Sequence, residues 1–138
     1  YKNGDVRQIL VSTAGDDQTG VIESEDRAKL IKLGVPASAI VAFGNNPSST
    51  YKEACALALW AQHNDIHRLI VPTEIFPSRR VQWILQRELG KIHVDVKVET
   101  LTPTSYNFDN WWKHGSGRSD FRLEIIKYIY YRIRYWRS

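Results

Sequence analysis

Between Arg68 and Leu89 the chain passes from an apolar strand (Leu69, Ile70, Val71) through the turn Pro72-Thr73-Glu74-Ile75-Phe76-Pro77 into a helix opened by Ser78-Arg79-Arg80. A buried strand that delivers hydroxyl and guanidinium groups to a helix N-terminus is how an α/β sheet builds an anion site. Unpaired backbone N–H groups and the helix dipole already favour negative charge at that end. The same strand-then-helix pattern recurs along the chain. Gln8 to Ser12 reads as a buried strand, followed by the polar loop Thr13-Ala14-Gly15-Asp16-Asp17. Ser24 to Leu33 reads as a helix stopped by Gly34 and Pro36, and Ala39 to Phe43 as the next strand.

After Gly44-Asn45-Asn46-Pro47 comes a helix in which Thr50 and Glu53 have the spacing of a capping box, with Ala54, Leu57, Ala58 and Ala61 on one buried face. In the helix that follows Ser78, the residues Val81, Ile84, Leu85, Glu88 and Leu89 keep the period as far as Gly90. From His93 to Thr100, Val94, Val96 and Val98 alternate with Asp95, Lys97 and Glu99, as in a half-buried strand. Strands separated by helices require crossovers. The expected fold is therefore α/β, a three-layer Rossmann-like arrangement with a mainly parallel sheet and helices on both faces.

In such a fold, ligands sit beyond the carboxyl ends of the strands. That rule selects three loops, Ser12 to Asp17, Gly44 to Thr50 and Thr73 to Arg80, and within them Ser12, Thr13, Gly15, Ser49, Thr50, Thr73, Ser78, Arg79 and Arg80 as ligand-binding candidates. One guanidinium of the arginine pair would clamp a phosphate, carboxylate or sulfate in bidentate fashion, with Thr73 and Ser78 adding hydroxyl contacts. The competing structural reading leaves the arginines solvated or paired with Glu74, and Thr50 with Glu53 as a helix cap alone.

With 138 residues, 43% of them apolar, the chain is expected to be a single domain, 1–138, able to bury a core. Its net charge of +4 comes mostly from Arg122, Lys127, Arg132, Arg134 and Arg137, so no nucleic-acid surface is expected. The one cysteine, Cys55, excludes an intrachain disulfide. No apolar run approaches the roughly 18 residues of a membrane span. The chain opens at Tyr1 in what reads as the tail of a helix ending at Gly4, and an N-terminal strand is expected to precede it.

His63 and His67 stand four apart with Asn64-Asp65 between them, the signature of a helix end, and no metal site is expected. Asp16, Asp17, Glu23 and Glu25 are candidate general acids or bases, with the competing reading that acids near helix starts are there for the dipole. No catalytic residue can be named.

Beyond Pro103 the composition changes. Tyr106, Phe108, Trp111 and Trp112 precede a Gly115-Ser116-Gly117 hinge, and residues 118–138 read as an amphipathic aromatic and basic helix, with Asp120 placed to cap it. Ile125, Ile126, Ile129, Ile133 and Trp136 share one broad face. Such a helix either docks that face on the core or lies at a membrane surface.

Taken with Ser49-Thr50-Tyr51-Lys52-Glu53-Ala54, Thr73-Glu74-Ile75-Phe76-Pro77-Ser78-Arg79-Arg80-Val81-Gln82-Trp83 and Asn110-Trp111-Trp112, the chain resembles the bacterial SanA/YdcF/ElyC family. Ile9-Leu10-Val11-Ser12, Leu33-Gly34-Val35-Pro36 and the Tyr/Arg-rich terminal helix extend the likeness over nearly the whole chain. The resemblance implies a Rossmann-like domain of the cell envelope, either associated with the bacterial inner membrane or cytoplasmic. It implies a small anionic or nucleotide-like ligand, such as S-adenosylmethionine or a phosphorylated envelope precursor, with Ser12, Ser49, Thr50, Glu53, Thr73 and Arg80 at the family's motif positions. Pro77 stands where relatives usually carry a histidine, which removes the best proton-transfer group. A rival reading is therefore a non-catalytic interaction or membrane-surface protein with a degenerate pocket.

Overall fold

The computed structural model describes Gly4, residues 6–13 and residues 21–136, with side chains for all of these except 21–23. The expected helix tail before Gly4, the loop residues Ala14, Gly15, Asp16 and Asp17, the side chain of Glu23, and Arg137 lie outside the described residues. The fold is α/β, and the described residues form four helices and two small parallel sheets of two strands each. The chain divides into two compact units, Tyr1–Ile66 and His67–Ser138.

In the first unit, β1 (Ile9–Ser12) leads to α1 (Val21–Lys32), a 3₁₀ turn at Ala37–Ala39, β2 (Ile40–Phe43) and α2 (Thr50–His63). The strands pair in parallel, Ile9 opposite Ile40 and Ser12 opposite Phe43. That pairing requires the crossover which α1 provides. The helix stops at Gly34, whose φ of +86° a side chain would resist. Val11, Val35, Ala39 and Ile40 form the core with Ile9 and Leu30 packed against it. Arg27 fastens α1 to the segment entering β2 by donating to the Ile40 and Ala37 carbonyls at 3.2 and 3.1 Å.

In the second unit, β3 (Arg68–Glu74), α3 (Ser78–Gly90) and β4 (Asp95–Leu101) repeat the plan, followed by a 3₁₀ turn at Trp111–Lys113 and α4 (Gly115–Arg134). β3 and β4 are parallel, Arg68 opposite Asp95 and Glu74 opposite Leu101. β3 runs through Pro72 and ends at Glu74, later than expected. A proline lacks only the N–H, and among the described residues β3 has a ladder on one edge alone, so its other edge tolerates the loss. Ile84 and Leu89 of α3 are almost completely buried, together with Leu85, Val94 and Val96.

The last helix departs further from expectation. It begins at Gly115, so Gly115-Ser116-Gly117 is its first turn and no hinge, and Asp120 lies inside the helix and does not cap it. The reason is a close approach: a Cβ at Gly117 would stand 2.4 Å from the Trp111 carbonyl oxygen and 3.0 Å from the carbonyl carbon. Above this contact, Phe76 meets Tyr106, Trp111 and Phe121 at centroid distances of 5.7, 5.3 and 5.5 Å, and Trp111 lies 4.4 Å from Phe121. Aromatic pairs at such separations add to the area they bury. The start of α4 is thereby fixed to the β3–α3 turn.

Because the atoms facing Gly117 are backbone, Gly117→Ala should destabilise the protein by about 1–3 kcal/mol. Ser116→Ala, one residue away and exposed, should stay within about 0.5 kcal/mol of the parent in urea unfolding. Equal effects at both positions would contradict the close contact.

Candidate functional site

The loops chosen from the sequence fall into two groups, one in each unit. In the first unit, β1 and β2 run parallel, so the loops that follow them leave from the same end of the pair. Ser12 is the last residue of β1. Thr13 continues the ladder by donating its N–H to the Phe43 carbonyl at 3.1 Å, and its Oγ1 accepts the Asn46 N–H at 3.0 Å. Gly44, at φ +92°, lets the second loop come this near: a Cβ there would meet Thr13 Oγ1 and Pro47 Cδ, both at 3.3 Å.

The cap of α2 is Ser49, one residue before the expected Thr50. Its Oγ accepts the Lys52 N–H at 3.3 Å, and Lys52 Nζ donates to Ser48 Oγ at 3.1 Å. Thr50 and Glu53 occupy the first turn. Ser12, Thr13, Ser49, Thr50 and Glu53 therefore lie at one end of this unit, while Gly15 is outside the described residues. His63 sits in the last turn of α2 with Nδ1 2.7 Å from the Leu59 carbonyl, and the helix caps at Asn64 before His67.

In the second unit, Thr73 is half-buried in β3 opposite Thr100. Ser78 opens α3, but its hydroxyl donates to the Ile75 carbonyl at 2.6 Å and so closes the turn. The two arginines part company. Arg79 is exposed, whereas Arg80 is only 7% exposed. Arg80 Nε donates to Glu124 Oε1 and Nη2 donates to Glu124 Oε2 at 3.3 Å, while the guanidinium carbon sits 5.0 Å from the centre of the Tyr131 ring. The bidentate grip expected for an outside anion is made on the chain's own carboxylate.

Glu124 is also 7% exposed. A buried carboxylate and guanidinium are tolerated only as a pair, because either charge alone would carry a large desolvation penalty. Beside them Tyr106, buried, donates to Asp120 Oδ2 at 2.8 Å. Burial first, and then that hydrogen bond, push its hydroxyl up to about 12, so the phenol keeps its proton and its donor role at any ordinary pH.

These contacts fix how α4 is rotated. Gly117, Phe121, Glu124, Tyr128, Tyr131 and Tyr135 recur at intervals of three and four and form its buried or half-buried seam. At about 100° per residue, Ile126 and Ile133 then lie on the opposite side from Glu124. Leu123, Ile125, Ile126, Ile129 and Ile133 are all exposed, Ile133 at 75% and Trp136 beyond it at 66%. Of the two expectations for this helix, docking of the isoleucine face on the core is the one its contacts do not bear out: it packs by its tyrosine and glutamate seam.

Sequence reasoning missed Glu124 and Tyr131. The spacing of the seam was visible, but it has the same period as the isoleucine stripe, and apolarity favoured the stripe.

If the pair holds α4 in place, Arg80→Ala should cost up to about 3–5 kcal/mol by leaving buried Glu124 with the exposed Lys127 ammonium, 4.0 Å away, in place of its guanidinium, and adding Glu124→Leu to Arg80→Met should recover most of that loss. Arg79→Ala should remain within about 0.5 kcal/mol of the parent. Denaturant unfolding of the four proteins checks this, and an Arg80→Ala protein of unchanged stability would contradict it.

Comparison with family models, with curated proteins and with solved structures finds no match for this chain. The SanA/YdcF/ElyC resemblance accordingly rests on the motifs quoted from the sequence.

Proposed function

We propose that the chain is a non-catalytic interaction module of the SanA/YdcF/ElyC type, a Rossmann-like three-layer α/β protein of the bacterial envelope that docks through the outward face of α4. The observation that carries this reading is the rotation of that helix. Five isoleucine and leucine side chains and a tryptophan face away from the seam that packs it. Exposing so much contiguous apolar surface is costly for a protein that has nothing to place on it. Two further features point the same way. Pro77 removes the histidine of the family pattern, and Arg80, the best anion clamp, already grips Glu124.

A second reading is binding of a small anionic or nucleotide-like ligand, with S-adenosylmethionine or a phosphorylated envelope precursor as candidates. Ser48, Ser49 and Lys52 at the start of α2 favour it, since hydroxyls and an ammonium gather where the helix presents its N–H groups.

One set of unfolding measurements separates the two. With α4 as a docking face, the double variant Ile126→Ser/Ile133→Ser should unfold within about 0.5 kcal/mol per site of the parent. The parent should also gain no thermal stability from S-adenosylmethionine, nucleotides, sugar nucleotides or polyprenyl phosphate analogues. A loss of about 2 kcal/mol or more per site would make the isoleucines internal packing and end the docking proposal. Stabilisation by one of the compounds would favour the ligand reading instead.

A further inference from the structure

We propose that the occupant of the outward face of α4 is an anionic lipid surface, on which the helix lies flat; this rests on the reading of α4 as a docking element. The inference comes from charge. The exposed apolar side chains Leu123, Ile125, Ile126, Ile129, Ile133 and Trp136 are interspersed with Arg118, Arg122, Lys127 and Arg134, all exposed, and half-buried Arg132. The helix has two acids, and the described contacts leave Arg122 and Arg134 without either of them, whereas Lys127 Nζ lies 4.0 Å from Glu124 Oε2. Glu124 is buried against Arg80, and Asp120 accepts the Tyr106 hydroxyl.

Charge also chooses among occupants. A second copy laid face to face would bring Arg122, Arg132 and Arg134 against their own kind with no carboxylate between them, in parallel or antiparallel pairing alike. An anionic headgroup layer supplies negative charge to the exposed Arg122 and Arg134 together, while the acyl boundary beneath it takes the isoleucines.

The geometry of the ends agrees. Trp112, 49% exposed, precedes the helix and Trp136 follows it, so that an amphipathic ring stands at each end of a cylinder lying in the interface. The Arg132 guanidinium is 5.1 Å from the ring centres of both Trp83 and Trp136, which holds the second of these rings in an ordered position. No helix among the described residues is long and apolar enough to cross a bilayer. With this density of cations, α4 would lie on the membrane.

The test is co-sedimentation of the whole chain with vesicles of equimolar phosphatidylglycerol and phosphatidylcholine, and with vesicles of phosphatidylcholine alone. Analytical ultracentrifugation of the free protein accompanies it. Binding should be about tenfold or more stronger on the anionic vesicles, should fall steeply with added salt, and should be lost in Ile126→Ser/Ile133→Ser and weakened in Arg122→Gln/Arg134→Gln. Both variants are judged only after circular dichroism shows the parental helix content.

Equal binding to both vesicle types would overturn the assignment to anionic lipid. So would no binding by a protein that instead dimerises through the isoleucines, or no binding by a monomer whose isoleucines the unfolding measurements have shown to be free. In the last two cases α4 would remain a docking face with a different occupant, so failure here is distinguishable from failure of the docking reading itself.

Discussion

The organisation of the second unit depends on the buried ion pair that joins α3 to α4. Arg80 lies in the first turn of α3 and Glu124 in the middle of α4, and each is almost inaccessible to water. Neither charge could remain there alone. Their two-point contact, covered by the Tyr131 ring, sets both the position of α4 along its axis and its rotation about that axis. Replacing such a pair by apolar side chains often costs nothing, so its value is better sought in specificity than in stability. Here the specificity is directional: a helix with two candidate seams is committed to the polar one.

The aromatic cluster and Gly117 act toward the same end. Phe76 joins the β3–α3 turn to Tyr106, Trp111 and Phe121. The missing side chain at Gly117 lets the first turn of α4 close on the Trp111 carbonyl. The helix is thus fixed at its start by packing and at its centre by charge. What remains outward is a face of isoleucine, tryptophan and arginine, and the functional proposals follow from that residue content. The expectation that Arg80 receives an outside anion loses ground by the same contact, because this arginine already holds a carboxylate of its own chain.

Much of the architecture was legible because its determinants are local. Apolar runs bounded by Gly34, Gly44, Pro47 and Gly90 delimit β1, β2, α2 and α3 to within a few residues, and alternation at Val94, Val96 and Val98 announces β4. Where the reading failed, the decisive contact was distant in sequence or ambiguous in period. Pro72 suggested a turn, yet β3 continues through it because the edge away from β4, which carries no ladder among the described residues, needs no donor there. Ser49 and not Thr50 caps α2, a shift of one residue that spacing alone does not resolve. Arg80 and Glu124 are 44 residues apart, and nothing in either neighbourhood names the other. The two stripes of α4 share one period, and general hydrophobicity pointed to the stripe that the structure leaves exposed.

The pairing of Arg80 can be examined directly by the hydrogen exchange of arginine side-chain Nε–H groups in an NMR spectrum of the folded protein at neutral pH. Arg79, adjacent and exposed, serves as an internal control. The Arg80 Nε–H should exchange far more slowly than that of Arg79 and should show a nuclear Overhauser contact to the Tyr131 ring, and both features should disappear in Glu124→Gln if the variant remains folded. Equal, solvent-like exchange at Arg79 and Arg80 would mean that the guanidinium is free. The orientation of α4, and the docking surface inferred from it, would then lose their foundation.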